Sequence, residues 1–312
     1  MIRDLVPRIV ATTPVRAGLA HGPLSAAFVD RFVAGPTEAD AVRAVARLAG
    51  LGLTATVDRL GEGVTEPAEA LATVGAYRCL LDLADQAGFA DGLDLSVKLS
   101  ALGQAVPRDG HKVSYENAAE IAGRAAAVNA TVTLDMEDHT TTDATLDTVR
   151  DLRRDFPTVG AVLQAQLRRT EADCRDLAHG GSRVRLCKGA YREPAAVSYR
   201  DRSGVTAAYA RCLGILLSGA GYPMIATHDP ALIALADRLV EAHGRPPGSY
   251  EYQMLYGIRP GEQQRLAARE VTVRVYLPYG PDCVPYLSRR IVEKPSNLLL
   301  ALRALGPARR DE

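Results

Sequence analysis

"LDLSVKLSALG", residues 93–103, sets Leu95, Val97 and Leu99 on one face and Ser96, Lys98 and Ser100 on the other. A period of two is that of a β-strand. The same alternation returns in "ATVTLDMED" (130–138), where Val132, Leu134 and Met136 interleave with Thr133, Asp135 and Glu137. In "RVRLCKGAY" (183–191) Val184 and Leu186 flank Arg185, and in "VTVRVYLPYG" (271–280) Val273, Val275 and Leu277 flank Arg274 and Tyr276. Strands of a parallel sheet covered on both faces read as nearly unbroken apolar runs. Here the second face is polar in strand after strand, so that face must look into a polar interior.

Four further stretches have strand character: "LTATVDRLG" (53–61), "GAVLQAQL" (160–167), "PMIATHD" (223–229) and "YEYQMLYG" (250–257). Helical stretches such as 66–88 and 114–129 lie between them. Eight strands alternating with helices predict an α/β fold, a distorted (β/α)8 TIM-like barrel. A doubly wound sheet is the alternative, with fewer strands. The reading is a single domain over 1–312, with extra N-terminal helices in 1–50, including "TEADAVRAVARLAG" (37–50), packed on a catalytic barrel of 51–305. Ligand-binding residues of such barrels collect at the C-terminal strand ends. Lys98, Asp135, Gln164, Arg185, His228 and Tyr276 are therefore expected around one cavity.

Composition narrows the function classes. Lys plus Arg and Asp plus Glu balance at 37 each, which leaves no electrostatic footprint for nucleic acid. The 5 cysteines are scattered with no C-x-x-C pair, which speaks for a reducing compartment and against a disulfide scaffold or zinc site. No H-E-x-x-H spacing, nucleophile elbow or Walker A loop occurs, and no metal site is expected. "GLGLTA" (50–55) fits a dinucleotide fingerprint in the wrong context, helix before strand, and "NAT" (129–131) is a chance sequon. With no signal-peptide pattern and no stretch as long as a transmembrane helix, the expectation is a cytoplasmic protein, with peripheral membrane contact left open.

Individual residues keep several readings. Lys98 suits an ion pair with a carboxylate such as Asp135, a Schiff-base nucleophile, or an anchor for an anionic substrate. Arg185, inward and permanently charged, suits an anionic ligand or an electron-rich cofactor, with a packing role inside the barrel as the alternative. Gly189 in "CKGAY" allows close backbone approach. His228 is either a satisfied core histidine or a ligand contact. In "VPYLSRRIVEKPSN" (284–297) helical spacing sets Tyr286, Arg289, Arg290 and Glu293 on adjoining positions, a final helix near the barrel mouth. Two forked guanidiniums would suit a carboxylate, with Glu293 bracing them; a solvated charged face is the plain alternative.

Taken together, "SVKLSALG", "TLDMED", "VLQAQLRR", "VRLCKGAY", "ATHD", "YQMLYG", "VYLPYG" and "PYLSRRIVEKPSN" resemble the proline dehydrogenase family, over about residues 50–300. The likeness is to the bacterial monofunctional enzymes and to the same domain of bifunctional proline-utilisation flavoproteins. It implies noncovalent FAD, oxidation of L-proline to Δ1-pyrroline-5-carboxylate by hydride transfer to flavin N5, and electrons passed to a quinone. It also implies handover of product to a pyrroline-5-carboxylate dehydrogenase. By motif match, Asp135 and Arg185 would be catalytic, and Lys98, Arg289 and Arg290 would grip the substrate carboxylate. Leu255, Tyr276 and Tyr286 would line the proline ring. Met136, Gln164, Arg185, Lys188, Gly189, Ala190, Thr227 and His228 would contact the flavin. Cys187 and Cys283 depart from the residues usual at their positions. The alternatives are a barrel lyase or aldolase using Lys98 or Lys188 as a Schiff base, and a regulator that binds flavin or proline without turnover.

Overall fold

The computed structural model describes residues 31–281. Eight parallel strands close into a barrel in sequential order. They are β1 (Thr54–Arg59), β2 (Asp94–Val97), β3 (Thr131–Leu134), β4 (Gly160–Gln164), β5 (Arg183–Cys187), β6 (Tyr222–Ala226), β7 (Glu251–Leu255) and β8 (Val273–Tyr279). Helix α1 (Glu38–Ala49) precedes β1. Between the strands run α2 (Pro67–Gln86), α3 (Gly110–Ala127), α4 (Thr142–Leu152), α5 (Thr170–Leu177), α6 (Arg202–Ser218), α7 (Pro230–Ala242) and α8 (Pro260–Ala267).

Each expected strand exists, and most stop earlier than the alternation suggests. The stretch 93–103 yields a strand only to Val97; Lys98 then caps a 3-10 turn, Leu99–Leu102, ended by Gly103 at φ 94°. Asp135 and Met136 follow the end of β3, Lys188 and Gly189 the end of β5, and Thr227 and His228 the end of β6. The cause is geometric: a tilted barrel strand stays paired over only a few residues before the chain turns to its helix. The residues singled out above as ligand contacts lie largely in these first turns. "GLGLTA" is the α1–β1 turn, with Gly50 capping α1 and Gly52 at φ 71°.

Register decides which side chains share the interior. Thr56 stands beside Asp94 and Tyr276, Asp58 beside Ser96, and Ser96 beside Thr133. Val162 stands beside Arg185, and Gln253 beside Arg274. The intervening Val57, Leu95, Val97, Leu134, Leu186, Ile225 and Val275 face outward and are fully buried under the helices. Tyr77 of α2 ties its helix to the wall, donating to the Ser96 carbonyl at 2.7 Å and accepting from Arg59 N–H at 3.2 Å. The polar inner face extends further than expected. It runs below the strand ends to the opposite side of the barrel, where Glu251 pairs with Arg274 at 2.9 Å.

The chain before α1 is clipped to the closing strand: Ala34 N–H donates to the Pro278 carbonyl and Gly280 N–H to the Gly35 carbonyl, at 2.8 and 3.0 Å. Thr37 then caps α1 reciprocally with Asp40, its side chain accepting from Asp40 N–H while the Asp40 carboxylate accepts from Thr37 N–H.

Candidate active site

The inner face of β2 supplies Asp94, Ser96 and, one residue past the strand, Lys98. Lys98 Nζ lies 2.6 Å from Asp58 Oδ1 and 3.5 Å from Asp135 Oδ2. Asp135 is the hub of this layer: Oδ1 accepts from Ser96 Oγ at 2.7 Å and Arg185 Nη1 at 2.8 Å, and Oδ2 from the Tyr276 hydroxyl at 2.8 Å. The expected Lys98–Asp135 pair is therefore real but secondary, because Asp58 on the neighbouring strand comes closer.

Arg185 is 4% exposed and every nitrogen of its guanidinium is engaged. Nε donates to Gln253 Oε1 at 2.6 Å, Nη1 also to Ser96 Oγ at 2.6 Å, and Nη2 to Asp94 Oδ2 at 3.1 Å. Its Cζ lies 5.3 Å from the centre of the Tyr276 ring. The expectation that an inward arginine implies an anionic ligand thus meets a second answer, since two protein carboxylates already balance it. A fully buried ion pair is tolerated only when its hydrogen bonds are complete, and these are.

Burial and charge pull on the site in opposite senses. Burial favours a neutral Lys98, yet the charge of Asp58 and the nearby Tyr276 and Asp135 outweigh it and hold the ammonium well above its usual range. Burial would likewise raise Asp135, but Lys98 and Arg185 overcome it and keep the carboxyl below the ordinary carboxylate value. For Asp58 burial wins over Lys98, and its carboxyl is raised. Burial and Asp135 lift Tyr276 well above a free phenol. At neutral pH the layer carries a cationic lysine and a neutral tyrosine hydroxyl.

Around this layer sit the first turns after β3 to β6. Met136 is buried, and Gln164 Nε2 donates to the Glu137 carbonyl at 2.7 Å. Glu137 in turn accepts from Ser100 Oγ at 2.5 Å, fixing the turn after β2 to the turn after β3. Lys188 Nζ, partly exposed, pairs with Asp229 at 2.9 Å and reaches Thr206 at 3.3 Å. Gly189 has φ 99°, and a Cβ there would meet Gln166 Cδ at 2.4 Å. Ala190 beside it is exposed. Thr227 Oγ1 accepts from Asp229 N–H, and His228 Nε2 accepts from Leu255 N–H at 2.8 Å, which places its ring proton on Nδ1. Leu255 and Tyr276, neighbours in register, are half-buried at the same end.

The described residues therefore bring together Lys98, Asp135, Arg185 and Tyr276 in one bonded layer. Gln164, Lys188, Gly189, Thr227, His228 and Leu255 stand at the ends of the adjoining strands. Arg289, Arg290, Tyr286, Glu293 and Cys283 lie outside the described residues. Asp58, Asp94 and Gln253 were not singled out from sequence. All three stand on the same inward alternation, Asp58 two residues after Thr56 in "TATVDR" and Gln253 two before Leu255 in "EYQML".

Comparison with known proteins gives the family. Its profile, described as proline dehydrogenase, matches residues 41–299. The chain is 39% identical over 278 residues to a proline dehydrogenase of Deinococcus radiodurans, covering 88% of this chain and 89% of that one. The chain belongs to the proline dehydrogenase family. Proline dehydrogenase 1 of Bacillus subtilis (strain 168) is 36% identical over 275 residues, again 88% of this chain and 89% of that protein. Among solved structures, proline utilization A from Bdellovibrio bacteriovorus inactivated by N-propargylglycine superposes with a TM-score of 0.79 at 23% identity. That match covers 93% of this chain and 36% of the longer chain, and it shows the fold.

FAD, the cofactor the family resemblance implies, fits the donor set at the mouth. Lys188, paired with Asp229, would offer an ammonium to a phosphate, and Gln164 and Thr227 would offer polar side chains at the ends of β4 and β6. The glycine at 189, at positive φ, lets the backbone pass close against Gln166.

Proposed function

We propose that this chain oxidises L-proline to Δ1-pyrroline-5-carboxylate at the C-terminal mouth of its barrel, with FAD bound noncovalently. The observation that carries the reading is the bonded layer of Asp58, Lys98, Asp135, Tyr276 and Arg185 in a chain of the proline dehydrogenase family. In the net reaction proline loses the C5 hydrogen with its electron pair and a proton from nitrogen. When bound, FAD supplies the acceptor for that electron pair and passes the electrons on to a quinone.

The chain's own residues bind and orient. Lys98, kept cationic by its aspartates, meets the substrate carboxylate. Arg289 and Arg290 would, by motif, complete that grip, with Glu293 as their carboxylate brace. Leu255, Tyr276 and, by motif, Tyr286 bound the apolar ring. Asp135 holds the Tyr276 hydroxyl and the Arg185 guanidinium in fixed positions, the orientation effect that makes a bound reactant behave as if highly concentrated. Met136, Gln164, Lys188, Gly189, Ala190, Thr227 and His228 would hold the cofactor. Arg185, paired with Asp94 and Asp135, would offer a fixed guanidinium suited to negative charge developing on the cofactor.

A Schiff-base lyase would need Lys98 or Lys188 as a free amine. Lys98 is instead paired with Asp58 at 2.6 Å and pushed further toward the charged form, and Lys188 is paired with Asp229 at 2.9 Å. The test is the visible spectrum of the purified protein before and after anaerobic L-proline. A yellow protein that bleaches supports the proposal. A colourless protein that borohydride couples covalently to a carbonyl substrate would return the lyase reading, and proline binding without bleaching would return the regulator.

A further inference from the structure

Asp135 is the carboxylate that the spacing of the strands offers to Lys98, yet its oxygens are already shared among Ser96, Arg185 and Tyr276. Asp58 is differently placed. It is held on the inner face of β1 by register with Ser96 on one side and Pro278 on the other, and its side chain is 3% exposed. Its contact with Lys98, at 2.6 Å, is the shorter of the two. A lysine on its four-carbon stem is a poorly oriented cation unless its donors are pinned. Its nitrogen has three N–H donors. Among the described residues Asp58 takes one and Asp135 lies toward a second, and the third is the one a ligand would receive.

We propose that Asp58 is a positioning residue: acting through Lys98, it fixes the ammonium so that the remaining N–H receives the carboxylate of the substrate. The inference rests on the proline reading above and names a residue on β1 as part of the recognition of the acid group. Among the described residues the groups that face Lys98 are Asp58 from β1, Tyr77 from α2, Asp135 and Glu137 from the turn after β3, and Tyr276 from β8. Of these, only Asp58 combines a negative charge with direct hydrogen-bond distance to the lysine. Removing that charge lets Lys98 lose its proton at lower pH, so carboxylate binding fails earlier on the alkaline side.

The experiment uses the full-length flavin-loaded enzyme with Asp58→Asn, Asp58→Glu, Lys98→Met and the Asp58→Asn/Lys98→Met pair. Steady-state proline oxidation is followed with a dye acceptor, together with inhibition by cyclopentanecarboxylate, which keeps the acid and lacks the amine. Asp58→Asn is expected to raise KM for proline and Ki for the inhibitor on the order of tenfold to a hundredfold, with a smaller change in kcat. The alkaline limb of kcat/KM should move to lower pH. Asp58→Glu should recover part of the KM, which keeps the charge readable if the amide variant folds poorly. The double variant should be no worse than Lys98→Met alone, since partners acting as a unit are not additive. Unchanged KM and Ki in an active Asp58→Asn enzyme would overturn the proposal, and so would losses that add in the double variant. A wild-type protein that fails to oxidise proline removes the functional reading first, and the proposal with it.

Discussion

Arg185 shows how one side chain can hold several strands. Its guanidinium touches Asp94 and Ser96 of β2, Gln253 of β7 and Asp135 beyond β3. Replacing it by methionine keeps the volume and strands two carboxylates, so the variant should lose about 3–5 kcal/mol of stability, the usual result of breaking a buried pair. Urea denaturation of the apoprotein measures this. Arg185→Lys should fall between the two, because it keeps the charge and loses the fork. That Arg185 and Lys98 point inward was legible in sequence, since alternation alone assigns the face. Asp135 was legible as a partner of Lys98; the other partners were not. Asp58 and Asp94 are paired to them by strand register, and no local pattern states which residues of two distant strands will lie side by side.

Element boundaries repeat the lesson at a larger scale. All eight strands and α1 to α3 were foreseen, while "LDLSVKLSALG" ends its four-residue strand at Val97 and continues as a 3-10 turn. Periodicity of two persists through Lys98 because the turn keeps it aimed at the same cavity. Local chemistry still decides the ends. Thr37→Ala removes the cap that α1 shares with Asp40 and should lower stability by about 1 kcal/mol in thermal or urea melts. Gly189→Ala carries both a positive φ and a contact of 2.4 Å with Gln166 Cδ, held in place by the Tyr191 carbonyl. It should cost about 1–3 kcal/mol from the strained backbone, and flavin content of the purified variant should drop alongside the melting temperature.

At the scale of the whole molecule, the charged interior makes stability depend on pH with a definite sign. Burial tends to raise Asp135 and Glu251, but their cations outweigh it: Lys98 and Arg185 for the first, Arg274 and Arg183 for the second. Both sit below their unfolded values of about 4. A carboxyl depressed in the folded state stabilises it fully above the unfolded value and loses that contribution as pH falls through the folded one. Asp58 runs the other way, its raised carboxyl favouring the fold at low pH, so it offsets part of the loss. The denaturation midpoint should therefore fall on acidification below about pH 4, and a urea series across that range checks it. Among the described residues no helix is long and apolar enough to cross a membrane.

The interlocked interior also bears on how such a barrel can change its substrate. Asp58, Asp94, Asp135 and Glu251 are balanced by Lys98, Arg183, Arg185 and Arg274 across six of the strands or the turns just beyond them. Any one replacement leaves a buried charge without its counterpart, so single-site libraries at these positions should yield mostly destabilised clones. Asp58 and Lys98 form the smallest exchangeable unit. Randomising the two together, and scoring for amines that lack an acid group, opens a route that neither position opens alone.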